Sequence, residues 1–128
     1  MPIIEDDVKK AMEMWLKKKG YSNVKIRLGT STGDDVEAFD PTSGRHLVIE
    51  CKGEAKTGDQ WARSWGNVSA AILTSLNKTE NPENSNDVAI AFPDTKEYRD
   101  RMSNLQPFCT RQGISVYWVS EDSQVKQW

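Results

Sequence analysis

Gly33-Asp34-Asp35-Val36-Glu37-Ala38-Phe39-Asp40-Pro41-Thr42-Ser43-Gly44-Arg45-His46-Leu47-Val48-Ile49-Glu50-Cys51-Lys52 is the stretch whose reading decides the fold. Pro41 presets the φ wanted at the second position of a tight turn and Gly44 can take up whatever conformation closes it, so the flanking segments read as a β-hairpin. Side chains alternate faces along a strand; Glu50 and Lys52 therefore project together while Cys51 points away. A pairing that sets Asp35 beside the end of the second strand gathers two carboxylates and one ammonium. Carboxylates held that close repel unless a proton or cation intervenes, and a hard divalent ion such as Mg²⁺ is the usual partner of oxygen ligands. Asp35 is chosen over its neighbour Asp34 because Val36 and Ala38 then face the core while Asp35 and Glu37 face the cleft.

Working outward, Ile4, Val8, Ala11, Met12, Trp15 and Leu16 recur at helical spacing, with Lys9, Lys10, Glu13, Lys17 and Lys18 on the other side and Gly20 as a stop. Val24–Leu28 alternates as a strand with Lys25 and Arg27 on its open face. The loop Gly29-Thr30-Ser31-Thr32-Gly33 is a solvated connection or a set of hydroxyls for a phosphate. Beyond the hairpin, Trp61, Trp65, Val68, Ile72 and Leu76 form a stripe, with Ser64, Ala71 and Ser75 alongside it as small residues that allow close approach, which predicts a second helix packed on the sheet, those two tryptophans reading most simply as core. Lys78–Asn86 reads as an exposed loop, and Asp87–Pro93, apolar on both faces, as a central strand. Asp94 or Thr95 can cap a third helix, which Pro107 breaks or restarts. Ile114–Val119 is the last predicted strand, and residues 121–128 read as a polar tail ending in an exposed aromatic.

With 128 residues there is one domain, placed at 1–120, and a composition of 37% hydrophobic and 28% charged residues is ordinary for a soluble protein. No apolar run is long enough for a bilayer, and the start of the chain lacks signal-peptide character, which predicts a cytoplasmic protein without membrane partners. Cys51 and Cys109 are then expected as free thiols. A net charge of −2 argues against a nonspecific coat for nucleic acid but leaves a basic cleft open. His46 is the only histidine, which removes histidine-rich zinc sites; the absence of a Gly-x-x-x-x-Gly-Lys-Ser/Thr loop removes the common NTPase route.

Asp35 followed after a turn by Glu50-x-Lys52 on a strand resembles the signature of the PD-(D/E)xK nuclease superfamily, with Gly33-Asp34 standing where the strict motif has proline. The resemblance implies a restriction-endonuclease-like core of order αβββαβ followed by αβ, an α/β domain with a mixed sheet flanked by helices. It implies a Mg²⁺- or Mn²⁺-dependent nuclease hydrolysing DNA phosphodiester bonds, more an endonuclease than an exonuclease, acting as a homodimer or as a subunit of a larger assembly. The ion would be held by Asp35, Glu50 and the backbone carbonyl of Cys51, with Lys52 orienting or helping to deprotonate a water. Glu5 either points from the first helix into the site, as in many relatives, where it could supply a further metal ligand or hold a second ion through water, or simply suits the positive end of the helix dipole. Gln60 either supports the site, as a glutamine does in several branches, or is an ordinary helix-start residue.

Two readings compete with catalysis. In one, Glu50 and Lys52 form a surface ion pair and Asp35 is an ordinary turn acid, a pattern worth little in stability; the apolar run Leu47–Ile49 weighs against it by placing the charged end at the margin of a buried sheet. In the other, the chain is a catalytically inactive nuclease-fold module that binds nucleic acid or a protein partner, with Trp61, Trp65, Trp118 and Trp128 as anchors.

Overall fold

The computed structural model describes residues 1–29 and 33–128, so the hydroxyl-bearing loop Thr30-Ser31-Thr32 lies outside the described residues. The elements run α1 (Glu5–Lys18), β1 (Ser22–Ile26), β2 (Val36–Asp40), β3 (Arg45–Cys51), α2 (Gln60–Glu80), β4 (Asp87–Pro93), α3 (Lys96–Met102), α4 (Gln106–Gln112), β5 (Ile114–Val119) and β6 (Val125–Gln127). The expected core order αβββαβ is present, and the strands form one six-stranded mixed sheet in the order β1-β2-β3-β4-β5-β6. β1, β2 and β3 are mutually antiparallel, β3, β4 and β5 parallel, and β6 returns antiparallel to β5.

The hairpin forms as read. Asp40 pairs with Arg45 and Val36 with Ile49, the Gly44 N–H donates to the Asp40 carbonyl at 2.8 Å, and Gly44 takes a φ of 72° that a side chain would resist. β4 lies between two parallel neighbours with Val88–Pro93 buried throughout, as its two-sided apolarity demands. α1 covers one face, where Val8, Ala11, Met12 and Leu16 pack on Val36, Ala38, Leu47, Ile49, Ala89 and Ala91. The opposite face carries α2, α3 and α4, with Val68, Ala71, Tyr98, Met102 and Cys109 against Ile90, Phe92, Val116 and Trp118. Among the described residues no helix is long and apolar enough to cross a membrane.

Four expectations are corrected. β1 begins two residues earlier than the alternation suggests, and Leu28 beyond it is exposed. The supposed tail supplies β6, whose Trp128 stands edge-on to Trp118 at 5.6 Å between ring centroids, so the sheet runs past residue 120. α2 continues through Lys78–Glu80, which the polar composition had assigned to a loop. Trp61 and Trp65 are 39% and 64% exposed, and the buried stripe of α2 is Ser64, Val68, Ala71 and Ser75. The bulky Phe92 and Trp118 already fill the sheet side, so small residues bring the helix down close and the tryptophans are left on its flank.

Gly53, just beyond β3, fixes how α1 meets the sheet. A Cβ there would lie 2.1 Å from the Glu5 nitrogen and 2.5 Å from the Ile4 carbonyl carbon, both backbone atoms. The contact is closed by Glu54 N–H donating to the Ile3 carbonyl at 2.7 Å and Ile3 N–H donating to the Glu54 carboxylate at 3.0 Å. Gly53→Ala should therefore cost about 3 kcal/mol, the upper end for overpacking, and lower the melting temperature correspondingly. Gly66, with open space around it in α2, should behave oppositely: Gly66→Ala is expected to stabilise by about 0.5–1 kcal/mol through helix propensity. Thermal or urea denaturation of the two variants checks both signs.

Candidate functional site

The carboxyl ends of β3 and β4 open at the rim of the sheet, where β3 has an antiparallel neighbour on one side and a parallel one on the other; ligands of open α/β sheets gather at such ends. Asp35, immediately before β2, turns its carboxylate toward the end of β3. Its Oδ2 accepts from the Cys51 backbone N–H at 2.8 Å, while Oδ1 lies 3.5 Å from the Lys9 ammonium. Its side chain is 16% exposed. Glu50 and Lys52 project together, each 20% exposed, with Oε1 and Nζ 4.0 Å apart. Cys51 is wholly buried on the opposite face, and burial above all pushes its thiol well above the ordinary range, which leaves it an inert packing group.

Glu50 and Asp35 interact directly. Burial first, then a hydrogen bond and charge repulsion with Asp35, raise the Glu50 carboxyl to about 7, against the smaller opposing influence of Lys52 and Lys78. The strain falls on Glu50, whose nearest ammonium, that of Lys52, stands at the limit of an ion pair. Asp34 is placed differently: its carboxylate is taken by Lys78 in the last turn of α2 at 2.5 Å. Glu37 is likewise paired, with Arg27 at 2.5 Å, and the same guanidinium donates to the Asp34 carbonyl at 2.7 Å.

Glu5, the first residue of α1, is brought beside the site by the Gly53 contact and pairs with Lys9 at 3.2 Å. Gln60 spends its amide on the loop after Lys52, accepting from the Ala55 N–H at 2.9 Å and donating to the Ala55 carbonyl at 2.8 Å. It thus anchors that loop to the start of α2, beside the Asp59 cap. An open groove of about 480 Å³ runs from Glu5 and Asp6 past Gly53 to Lys56, Arg63 and Asn67, acidic at one end and basic at the other.

Lys9 and Lys78 are the residues the sequence reading missed. Lys9 was assigned to the polar side of α1, yet its side chain is 2% exposed, with Nζ 2.6 Å from the Arg27 carbonyl and 3.8 Å from Asp6 besides its contacts with Glu5 and Asp35. Burial opposes its charge, but the hydrogen bond with Glu5 and the charges of Asp35, Glu5 and Asp6 outweigh burial and raise its pKa. The available signal was spacing: Lys9 stands four residues after Glu5 and three before Met12, on the inward edge of the apolar stripe.

The donor set suits a hard divalent ion in its chemistry. Two carboxylates, of which Glu50 is raised by burial and by its neighbour Asp35, stand beside a backbone carbonyl position at Cys51. Among the described residues no three acidic, histidine or cysteine side chains converge into a cage; Glu5, Asp6 and Asp35 stand around Lys9. An ion here would complete its shell with water and backbone oxygen, which Mg²⁺ commonly does.

No family model matches the chain, and no curated protein matches it. Two solved structures do. One is an XisH family protein from Nostoc punctiforme, 12% identical, with a TM-score of 0.59 and 94% of this chain and 97% of that chain covered. The other is an fdxN element excision controlling factor protein from Anabaena variabilis, 16% identical, with a TM-score of 0.62 over 96% and 98% of the two chains. At those identities the likeness is one of fold, and it extends over nearly the full length of all three chains.

Proposed function

We propose that this chain is a PD-(D/E)xK-type nuclease that hydrolyses DNA phosphodiester bonds with a Mg²⁺ or Mn²⁺ ion held by Asp35, Glu50 and the Cys51 carbonyl. The observation that carries this reading is the Asp35–Glu50 pair: buried enough to lift one carboxyl to about 7 and set beside Lys52 at the open end of β3. A structural neighbour described as an fdxN element excision controlling factor protein accords with this reading.

When bound, the ion would neutralise the phosphate, acidify a bound water and steady the leaving oxygen. The protein's own residues do the rest. Cys51 N–H and Lys9 fix the two Asp35 oxygens, so this ligand does not have to be ordered on loading. Lys52 stands beside Glu50, where it can hold a water and offset charge building on the phosphoryl oxygens. Lys56 and Arg63 line the groove leading away from Glu5 and can take adjacent phosphates of a strand. Arg101 lies between Trp61 and Trp65, 5.1 and 5.3 Å from their rings. This exposed ledge favours a second reading, a module that binds a partner without catalysis.

The two readings part on three measurements. Purified protein should nick supercoiled plasmid with Mg²⁺ or Mn²⁺, and Lys52→Ala should slow nicking at least about 100-fold while circular dichroism stays unchanged; equal cleavage by that variant means a contaminant and removes the nuclease reading. Calorimetry should find divalent binding that Asp35→Asn with Glu50→Gln abolishes, whereas a pure binding module shows none to abolish. The same binding should weaken by up to about tenfold per pH unit below 7, because the ion must displace the proton held by Glu50.

Stability carries the same signature. A carboxyl raised from 4.5 to about 7 is a group whose folded state holds a proton that the unfolded state releases. The resulting destabilisation is absent below 4.5, grows between the two values and is complete above 7. Glu50→Gln should accordingly raise the melting temperature at pH 8 by about 3–6 °C, roughly 1 kcal/mol, and do much less at pH 4.5; equal shifts at both pH values would refute the assignment of strain to this carboxyl.

A further inference from the structure

Lys9 is the one charged residue among the fully buried side chains of the described chain. Its ammonium donates to the Arg27 carbonyl at 2.6 Å and stands in ion-pair range of Glu5 at 3.2 Å, Asp35 at 3.5 Å and Asp6 at 3.8 Å. The Arg27 carbonyl belongs to backbone just beyond β1, and the aliphatic stem is sealed against solvent, so the ammonium has no alternative position at the surface. An ammonium ringed by four oxygens is the cation these acids answer to in this fold.

We propose that Lys9 is a built-in cation of this site, filling the place among Glu5, Asp6 and Asp35 that a second divalent ion would need, so that the site takes one ion, on the Glu50 side of Asp35. The inference rests on the metal-site reading above and adds its stoichiometry and the division of labour among the acids. The two sides of Asp35 differ in a way that supports it. On the α1 side an internal ammonium already neutralises the carboxylates; on the Glu50 side the nearest ammonium, that of Lys52, stands 4.0 Å from Glu50, at the limit of an ion pair. A divalent ion needs oxygens at about 2.0–2.1 Å and cannot share that pocket with an ammonium. Glu5 is then the partner of Lys9 and not a ligand, and Lys9 is a positioning residue that acts through Asp35.

The test is a count of bound Mn²⁺ per chain, obtained by titrating the folded protein and reading free Mn²⁺ by electron paramagnetic resonance. Wild type and Lys9→Arg should each bind one ion. Lys9→Gln, which leaves Glu5, Asp6 and Asp35 without their cation, should bind two. Glu5→Gln should leave the count at one and change its affinity by less than about threefold, as loss of a neighbouring charge does but loss of a ligand does not. Two ions on the wild type, or a single ion of unchanged affinity on folded Lys9→Gln, overturns the proposal while leaving the metal site standing; no ion on the wild type overturns both. Should Lys9→Gln fail to fold, the wild-type count and Glu5→Gln decide, and an affinity loss of tenfold or more in Glu5→Gln refutes the role given to Lys9.

Discussion

The structure depends on a backbone-to-backbone contact with no room for a methyl group. Gly53 lets the chain leaving β3 pass directly over the start of α1. Its carbonyl accepts from the Tyr98 hydroxyl at 2.6 Å and from the Asn67 amide at 3.0 Å, so α2 and α3 are tied to the same peptide that touches α1. Four elements on two faces of the sheet thus meet one residue after Lys52. Because the link runs through main-chain atoms and a short clasp between Ile3 and Glu54, the distance from Glu5 to Glu50 is set by packing and not by a flexible loop. Precision of this kind is what a charged cluster needs, since misplacement by an ångström changes which oxygens share a cation.

That precision holds an arrangement that is electrostatically unfavourable in part. Asp35 is well satisfied, with a backbone N–H on one oxygen and Lys9 near the other. Glu50 is not: it is half-buried beside a carboxylate, and its nearest ammonium is at the limit of an ion pair. An uncompensated carboxyl at the end of a central strand is the kind of cost a fold sheds unless something else depends on it. The surroundings reinforce the contrast. Asp34 and Glu37 each have a close cationic partner, and the burden falls on one residue of the cluster.

The legible parts of this chain were those in which one residue's pattern decides. Pro41 and Gly44 closed the hairpin, the two-sided apolar run Val88–Phe92 declared a central strand, and the strand period put Glu50 with Lys52 and Asp35 at the adjacent rim. The illegible parts depended on what lay opposite. Lysine by type belongs outside, and only the carbonyl of Arg27 and the acids of three separate positions make Lys9 an interior residue. Tryptophan by type belongs inside, yet Val68 and Ala71, with Ile72 and Leu76 partly buried beside them, are what α2 packs on Phe92 and Trp118, and Trp61 and Trp65 stay on its flank. β6 is three residues long and polar, and its strand character comes from the free edge of β5, with Val119 paired to Val125.

The same exchange of large for small residues on α2 explains how one helix serves the site from both ends. With serine and alanine at its contact face, the helix lies close to the sheet. Close approach brings Gln60 in its first turn within hydrogen-bonding reach of Ala55 and Lys78 in its last turn within reach of Asp34. Had the tryptophans been the buried stripe, as residue type alone suggests, the helix would stand farther off and both reaches would lengthen. The clamp on Asp34 matters because that residue sits next to Asp35: fixing the first acid by Lys78, and its carbonyl by Arg27, removes the freedom by which the two could exchange roles. The choice of Asp35 as the acid that faces Glu50 is therefore enforced by the packing of a helix on the opposite face of the sheet from α1, through side chains that never touch Asp35 themselves.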